Sequence, residues 1–452
     1  MSTAPTKSVY IETFGCQMNL ADTEVVLARL AESGYRQVED ADQADLVLFN
    51  TCSVRDHAEA KVRSRLGLMR IAKLARPALR IGVMGCMAQR EQAELARRYP
   101  HIDLVVGTDQ FVNMPQLLRR LDDQKQVVAT DFGDFEDRVW DAHRTDGINA
   151  WVPIMRGCNY NCTYCVVPFT RGREKSRPPA MVEEEVRRLV DRGFVQVTLL
   201  GQTVDAYGKT LGDGTTLASL LRRLHGIDGL QRIRFVTSHP KDITDELLAT
   251  MAELPKVARH LHVPAQAGAD RVLRVMGRRY TRDDYRRFVD RARTHMPEVE
   301  LLSDFIVGFP TETTAEFDQT VTLMEEVRFA GSYVFMYSQR PGTPAVRLPD
   351  DVPEAEKNRR CNVLLNLQMK HQTAQHEALH GSIVQVLVEG PSRTDAQMLH
   401  GRSQGNRSVI LPRQSADGLS RDALIGRIAP VRIERSTMLT MFGELAAPAA
   451  ST

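Results

Sequence analysis

The sequence predicts an α/β protein in three parts: an N-terminal doubly wound parallel sheet, a central partial (βα)6 barrel and a small C-terminal β-barrel. Three observations predict it. Strand and helix signals alternate across residues 7–125. They alternate again, about six times over, across residues 145–378. From 380 to 445 the pattern changes to short β-like runs separated by Gly, Ser and Pro.

In the first part Ser8–Thr13 reads as a strand, Asp22–Ser33 as a helix and Leu46–Asn50 as a buried strand. A helix over about Asp56–Ala75, a strand at Arg80–Met84 and a helix at Glu91–Arg98 follow. Leu104–Val106 and a helix around Pro115–Leu121 close the region. Such alternation implies parallel strands with helices on both faces. The irregular, acidic stretch Thr130–Asn149 reads as a linker. The expected barrel strands are Trp151–Met155, Val195–Leu200, Ile233–Thr237, His260–Val263, Leu301–Val307 and Tyr333–Tyr337. Function in such folds sits at the carboxyl ends of the strands. A long helix near Glu354–Leu379 carries Cys361, which reads as a packed thiol. The last strands are Ile383–Val388, Arg407–Leu411 and Ala429–Ile433.

At 452 residues the chain exceeds one ordinary core, and 42% hydrophobic with 26% charged residues suits a folded, water-soluble protein. The longest apolar runs, Asp45–Cys52 and Leu301–Phe309, are strand-sized, so no membrane association is expected. The N-terminus has no secretory pattern, and a cytoplasmic location with reduced thiols follows as the expectation. A net charge of +2 says nothing about a nucleic-acid partner. Seven cysteines, three in one short segment and the rest far apart, point to metal or redox chemistry rather than disulfides.

The segment GCNYNCTYCVVP begins where the first barrel strand ends and spaces Cys158, Cys162 and Cys165 as Cys-x3-Cys-x2-Cys. Three thiolates on a four-iron cluster leave one iron open to a small molecule, whereas four serve electron transfer. Structural zinc wants four closed ligands, and no further Cys or His lies close by in sequence. Cys16, Cys52 and Cys86 lie in ETFGCQMN, NTCSVR and GCMAQR, each just past a predicted strand. Parallel strands send their carboxyl ends to one edge, so these thiols should converge on a second cluster. One such thiol alone would read as a small buried hydrophobe; three equivalent placements argue otherwise.

Cys158, Cys162 and Cys165, with Tyr164 before the third, resemble the radical-SAM signature. The three N-terminal cysteine loops, with TSHP at Thr237–Pro240, DFIVGFPTET at Asp304–Thr313 and YSQRPGT at Tyr337–Thr343, resemble the methylthiotransferases of that superfamily. The resemblance covers nearly the whole chain, and the tail from about His380 to Leu445 is similar to the RNA-binding TRAM domain. YIETFGCQMN and HLHVPAQAGADRVLRVM look most like the branch acting on N6-(dimethylallyl)adenosine at position 37 of tRNA. Two departures stand out. Thr311 occupies a place where relatives usually show Gly, and Thr203 and Asp205 replace a common Asn-Val-Asn; neither is expected to touch a cluster ligand.

The resemblance implies two [4Fe–4S] clusters, an auxiliary one on Cys16, Cys52 and Cys86 and a radical one on Cys158, Cys162 and Cys165. It implies that S-adenosylmethionine both supplies a 5′-deoxyadenosyl radical and methylates sulfur, so that SCH3 replaces hydrogen at adenine C2. It further implies tRNA as partner, an electron donor such as flavodoxin or ferredoxin, a sulfur source, and a monomer. Tyr164, Gln202, Ser238 and Gln266 are the candidates for S-adenosylmethionine contact, the last three by strand-end placement, against plain loop hydrogen bonding. His260 and His262 share a strand face and read as satisfied barrel residues.

Arg171, Arg173, Lys175 and Arg177 follow the cysteine loop and could draw in a phosphodiester, against the default of a solvated charged face. Residues Gly381–Thr440 hold eight Arg against five acidic residues and no Phe, Trp or Tyr, so charge rather than stacking should grip RNA. Arg393, Arg402, Arg407 and Arg432 are the candidates. The rivals are a methylthiotransferase for a ribosomal-protein aspartate, one for threonylcarbamoyl-adenosine in tRNA, and an RNA-binding protein with a structural cluster.

Overall fold

The computed structural model describes residues 7–53, 56–133, 147–415 and 418–446. Most of the predicted linker therefore lies outside the described residues.

The N-terminal layer runs β1 Lys7–Thr13, α1 Gln17–Glu32, β2 Tyr35–Gln37, β3 Leu46–Thr51, α2 Asp56–Ala75 and β4 Arg80–Gly85. It continues with α3 Cys86–Glu91, α4 Ala93–Arg98, β5 Leu104–Val106, α5 Met114–Arg120 and β6 Val127–Ala129. The expected helix at Glu91–Arg98 is in fact two short helices broken at Gln92, whose φ is +51°. All neighbouring strands pair in parallel, in the order β2-β1-β3-β4-β5-β6. Side-chain alternation explains the two-sided core. Leu46 and Leu48 of β3 pack with Val26 and Leu30 of α1 and Leu117 of α5, while Val47 and Phe49 pack with Val62 and Leu66 of α2. Both faces of β3 are thus covered, which is why it reads as an unbroken apolar run.

The middle layer runs β7 Asn149–Pro153, β8 Met155–Arg156, α6 Val167–Arg171, β9 Lys175–Ser176, α7 Pro179–Asp191 and β10 Gln196–Leu200. Then come α8 Leu217–His225, β11 Arg232–Phe235, α9 Asp245–Glu253, β12 His260–His262, α10 Asp270–Val275 and α11 Arg282–His295. The layer ends with β13 Glu300–Val307, α12 Thr314–Val327, β14 Gly331–Met336 and α13 Glu354–Glu377. Six parallel strands form the partial barrel in two ladders, β7-β10-β11 and β12-β13-β14. They meet through an Ile233–Val257 bridge and a bond from the Ser238 amide to the His262 carbonyl at 3.0 Å. Reciprocal capping boxes start α8 (Thr216, Ser219), α11 (Thr281, Asp284) and α12 (Thr313, Glu316). Each such cap stabilises its helix by about 1 kcal/mol.

The C-terminal part is a closed five-stranded barrel in the order β15-β16-β17-β19-β18, with β15 Ile383–Pro391, β16 Met398–Ser403, β17 Ser408–Pro412, β18 Ile428–Ser436 and β19 Thr440–Leu445. It docks under the amino ends of the barrel strands. Gln231, just before β11, donates to the Gly426 carbonyl at 2.6 Å, and Arg232 donates to the Arg402 carbonyl at 2.8 Å. Among the described residues no helix is long and apolar enough to cross a membrane.

Candidate active site

The cysteine loop after β8 is shaped by its backbone. Gly157 has φ +77°, and a Cβ there would sit 2.0 Å from the Arg173 carbonyl oxygen, so only glycine fits. The Cys158 amide donates to the Gly172 carbonyl at 3.1 Å, and the Asn159 amide donates to Glu174 Oε1 at 3.1 Å. Tyr160 stacks on His239 with ring centroids 3.9 Å apart and donates its hydroxyl to Asp242 at 2.8 Å. Thr203 Oγ1 lies 3.4 Å from Cys158 Sγ, and Arg278 Nη1 donates to Cys162 Sγ at 3.4 Å. The expectation that Thr203 touches none of the candidate cluster ligands is therefore overturned. The end of β10 turns its following residues directly across the cysteine loop.

Burial, with Cys162 close by, pushes the Cys165 thiol up to about 12. Burial also raises Cys158, while the Thr203 hydrogen bond pulls it down. Such thiols ionise when a cation takes up the thiolate charge. Among the described residues no three His, Cys, Asp or Glu side chains close on a single metal ion. Three thiols on one short loop suit a body that meets each thiol at a separate atom, as an iron–sulfur cluster with one thiolate per iron does.

The second set forms at the carboxyl edge of the N-terminal sheet. Its strand order reverses between β1 and β3, where such sheets bind ligands. Cys16 precedes α1, Cys52 follows β3 and Cys86 opens α3. A Cβ on Gly15, whose φ is +134°, would lie 2.6 Å from Cys52 Cβ, so the first two loops touch. Buried amides lock them. Asn19 Nδ2 donates to Asn50 Oδ1 at 3.1 Å and to the Thr51 carbonyl at 3.2 Å, and Asn50 Nδ2 donates to the Asn19 carbonyl at 2.7 Å. Cys52 and Cys86 are buried and Cys16 is half-buried. Burial raises the Cys86 thiol, with Arg171 beside it pulling it down.

The two sets face one another. Met18 and Ala21 of α1 pack on Leu200, at the end of β10, with Cys16, Trp151 and Val236 around them. Arg171 of α6 reaches across to Asp22 of α1 in a buried bidentate pair at 2.6 and 3.1 Å. Thr108 Oγ1 donates to the Thr170 carbonyl at 2.7 Å, and Arg156 pairs with Asp109 at 2.7 Å.

The basic run beyond the loop is corrected by the structure. Arg171 serves the domain contact, and Arg177 is buried in an ion pair with Glu185 at 2.8 Å. Lys175 donates to the Gly133 carbonyl at 2.9 Å, which leaves Arg173 as the exposed member of the run. Of the candidates for S-adenosylmethionine contact, Gln202 Oε1 and Ser238 Oγ are buried at the barrel mouth without a protein partner. Orphaned polar atoms at strand ends fit a polar ligand. Gln266 adopts φ +67° and donates its amide to the Asp304 carbonyl at 2.9 Å. Tyr164 packs edge-on to Phe309, its ring centroid 6.4 Å away.

His262 Nε2 lies 2.9 Å from Asp304 Oδ1, as a satisfied barrel residue should. His260 does not conform: both ring nitrogens are buried without a partner, because the charge beside it is the Arg234 cation rather than an acceptor. Arg407 is no free cation either. It pairs with Glu300 at 2.7 Å and donates to Gln375 at 2.8 Å, anchoring the small barrel to the large one. Arg402 lies 3.6 Å from Glu389, Arg432 donates to the Gly381 carbonyl at 2.9 Å, and Arg393 is exposed. Sequence reasoning passed over Tyr333 and Phe335, 55% and 37% exposed at alternate positions of the edge strand β14. Their period of two was the available signal.

Residues 8–107 match the family described as Uncharacterized protein family UPF0004, 152–324 match the Radical SAM superfamily and 377–446 match the TRAM domain. The chain is 43% identical over 96% of its length, and 92% of the relative's, to the tRNA-2-methylthio-N(6)-dimethylallyladenosine synthase of a Thermoanaerobacter species. It is 42% identical to the enzyme of that name from Acetivibrio thermocellus, over 98% of this chain and 92% of that one. The chain belongs to this family of radical-SAM methylthiotransferases. Among solved structures, the radical S-adenosylmethionine methyltransferase TsrM from Kitasatospora setae matches with a TM-score of 0.56 at 16% identity, covering 75% of this chain and 77% of that one. The cobalamin-dependent radical enzyme OxsB matches at 0.53 and 11% identity, covering 81% of this chain and 56% of that one. At those identities the likeness is one of fold. Members of the radical-SAM superfamily use S-adenosylmethionine and a [4Fe–4S] cluster, and the loop of Cys158, Cys162 and Cys165 lies within the segment matched to that superfamily.

Proposed function

We propose that this chain converts N6-(dimethylallyl)adenosine at position 37 of tRNA to its 2-methylthio derivative. The observation that carries the proposal is the placement of two sets of three thiols on facing edges of two α/β layers, joined by the Arg171–Asp22 pair. In this reading Cys158, Cys162 and Cys165 hold one [4Fe–4S] cluster and Cys16, Cys52 and Cys86 hold a second. A bound cluster with an open iron supplies the electron that splits S-adenosylmethionine into a hydrogen-abstracting radical. The protein's own residues bind, orient and exclude water. Gln202, Ser238, Gln266 and Tyr164 hold S-adenosylmethionine at the mouth. Tyr333 and Phe335 offer aromatic faces to the substrate's base or its apolar tail.

The domain limits that go with this reading are 7–125, 145–378 and 380–445, the last being the RNA-binding part. A flavodoxin or ferredoxin supplies electrons, a separate donor supplies sulfur, and the enzyme works as a monomer in the cytoplasm.

The test has two arms. Mass spectrometry of tRNA nucleosides from cells lacking the protein should show the methylthio group missing and the dimethylallyl group retained. Alanine at Cys16, Cys52 and Cys86 together should halve iron and sulfide in the reconstituted protein. That variant should still cleave S-adenosylmethionine reductively while making no methylthio product. Unchanged product formation would show that the N-terminal thiols are only structural.

A further inference from the structure

The turn after α10 clamps the cysteine loop through hydrogen bonds at Thr163. Thr163 donates its amide to the Met276 carbonyl at 2.8 Å and its hydroxyl to the Val275 carbonyl at 2.9 Å. The Thr163 carbonyl in turn accepts from the Ala345 amide at 2.8 Å. From this fixed turn Arg278 reaches the loop's middle thiol, Nη1 donating to Cys162 Sγ at 3.4 Å. The rest of the guanidinium is held too. Nε donates to the Tyr280 hydroxyl at 3.1 Å and Nη2 to the Pro264 carbonyl at 3.2 Å, and the cation lies 5.0 Å from the Tyr280 ring centroid. Among the described residues no carboxylate pairs with Arg278, so its charge is balanced by nothing nearer than the cysteine loop.

The three thiols are served unequally. Cys158 meets the neutral hydroxyl of Thr203, and Cys165 accepts a backbone hydrogen bond from Val167. Cys162 alone among them meets a guanidinium, a donor that cannot lose its proton. Hydrogen bonds to ligand sulfurs and nearby charge are among the levers that set the potential of an iron–sulfur cluster. Adding one electron adds one negative charge, which a fixed cation and a charge-assisted hydrogen bond both favour. We propose that Arg278 is a positioning residue that raises the reduction potential of the cluster on Cys158, Cys162 and Cys165, easing the electron transfer that starts each turnover. This rests on those thiols holding a cluster, as proposed above.

The experiment is an anaerobic redox titration of the reconstituted full chain with a low-potential one-electron reductant. It follows the part of the reduced-cluster electron paramagnetic resonance signal that S-adenosylmethionine perturbs. Iron and sulfide are assayed first. Their absence at these thiols in the parent protein would end the cluster reading itself, separately from the role of Arg278. In loaded Arg278→Met, the equilibrium constant for one-electron reduction should fall by about tenfold, about 59 mV for one electron. Loaded Thr203→Val, which loses a neutral donor, should fall by less. If the Met variant does not load, Arg278→Gln, which keeps a donor and loses the charge, carries the measurement with the same sign expected. A loaded variant with an unchanged midpoint overturns the proposal. Failure of both variants to load overturns it as well, since Arg278 would then hold the cluster rather than tune it.

Discussion

Asp205 is a carboxylate where the family resemblance leads one to expect an amide, and the structure shows what it does. Both its oxygens accept the His239 backbone amide, at 2.8 and 3.1 Å, just behind the ring that stacks on Tyr160. Burial, reinforced by the charge of Asp242, raises its pKa well above the ordinary carboxylate range. An acid whose folded pKa exceeds its unfolded one stabilises the fold at low pH and loses that contribution as pH rises through the folded value. Asp205→Asn keeps an acceptor and abolishes the titration. Its urea midpoint, relative to the parent, should therefore climb as pH rises above the ordinary carboxylate range. A difference that does not change with pH would show that Asp205 is not held in this way. Thr311 is the other departure, and its φ of +67° is one that glycine adopts without strain. Arg271 stabilises the unusual choice, donating to the Thr311 hydroxyl at 3.1 Å.

At the scale of elements, the small barrel holds some of its arginines in structural pairs and exposes others, such as Arg393, for the RNA contact proposed above. Breaking the half-buried Arg407–Glu300 pair leaves a carboxylate without its partner, so Arg407→Met should destabilise the protein by about 3 kcal/mol. It should leave the salt dependence of tRNA affinity untouched. Arg393→Ala with Arg432→Ala should leave stability nearly unchanged and flatten the slope of log affinity against log salt by about 0.7–0.9 for each phosphate no longer neutralised. Binding titrations at several salt concentrations separate the two cases, and a slope moved by Arg407 instead would reverse the assignment. The edge strand β14 gives a second element-scale test. Tyr333→Ala with Phe335→Ala should let S-adenosylmethionine be cleaved without matching product if, as proposed above, their exposed faces hold the base. A product-to-cleavage ratio equal to the parent's would remove them from the substrate site.

Across the whole molecule, the N-terminal layer sits at the barrel mouth and the C-terminal barrel under its floor. The eight residues of β13 span about 26 Å at 3.3 Å per residue, and a tRNA gripped at the floor must cover that length to present a base at the mouth. The Arg171–Asp22 pair is a buried ionic tie between the two cysteine layers, alongside Arg156–Asp109. Asp22→Asn strands a buried guanidinium, so a loss of about 3–5 kcal/mol is expected. Limited proteolysis should then release the N-terminal layer earlier than in the parent, with methylthio transfer falling further than S-adenosylmethionine cleavage. Equal losses of both would mean that the pair supports the barrel alone.

The order of the longer strands and helices, the three-part architecture and the placement of six of the seven cysteines just past strands could be worked out from the sequence by itself. Period-two and helical patterns are local, and loops after parallel strands converge by topology. The short strands β2, β6, β9, β16 and β19 escaped because two to six residues carry little pattern. What only the tertiary structure decided is which charges are free. Arg171, Arg173, Lys175 and Arg177 look alike along the chain, yet two are sealed in ion pairs and one is exposed, because partners such as Asp22 arrive from a distant layer. The same holds for Arg278 and Thr203. They reach the sulfurs of Cys162 and Cys158 through loops far apart in sequence, and such contacts exist only once the barrel has folded.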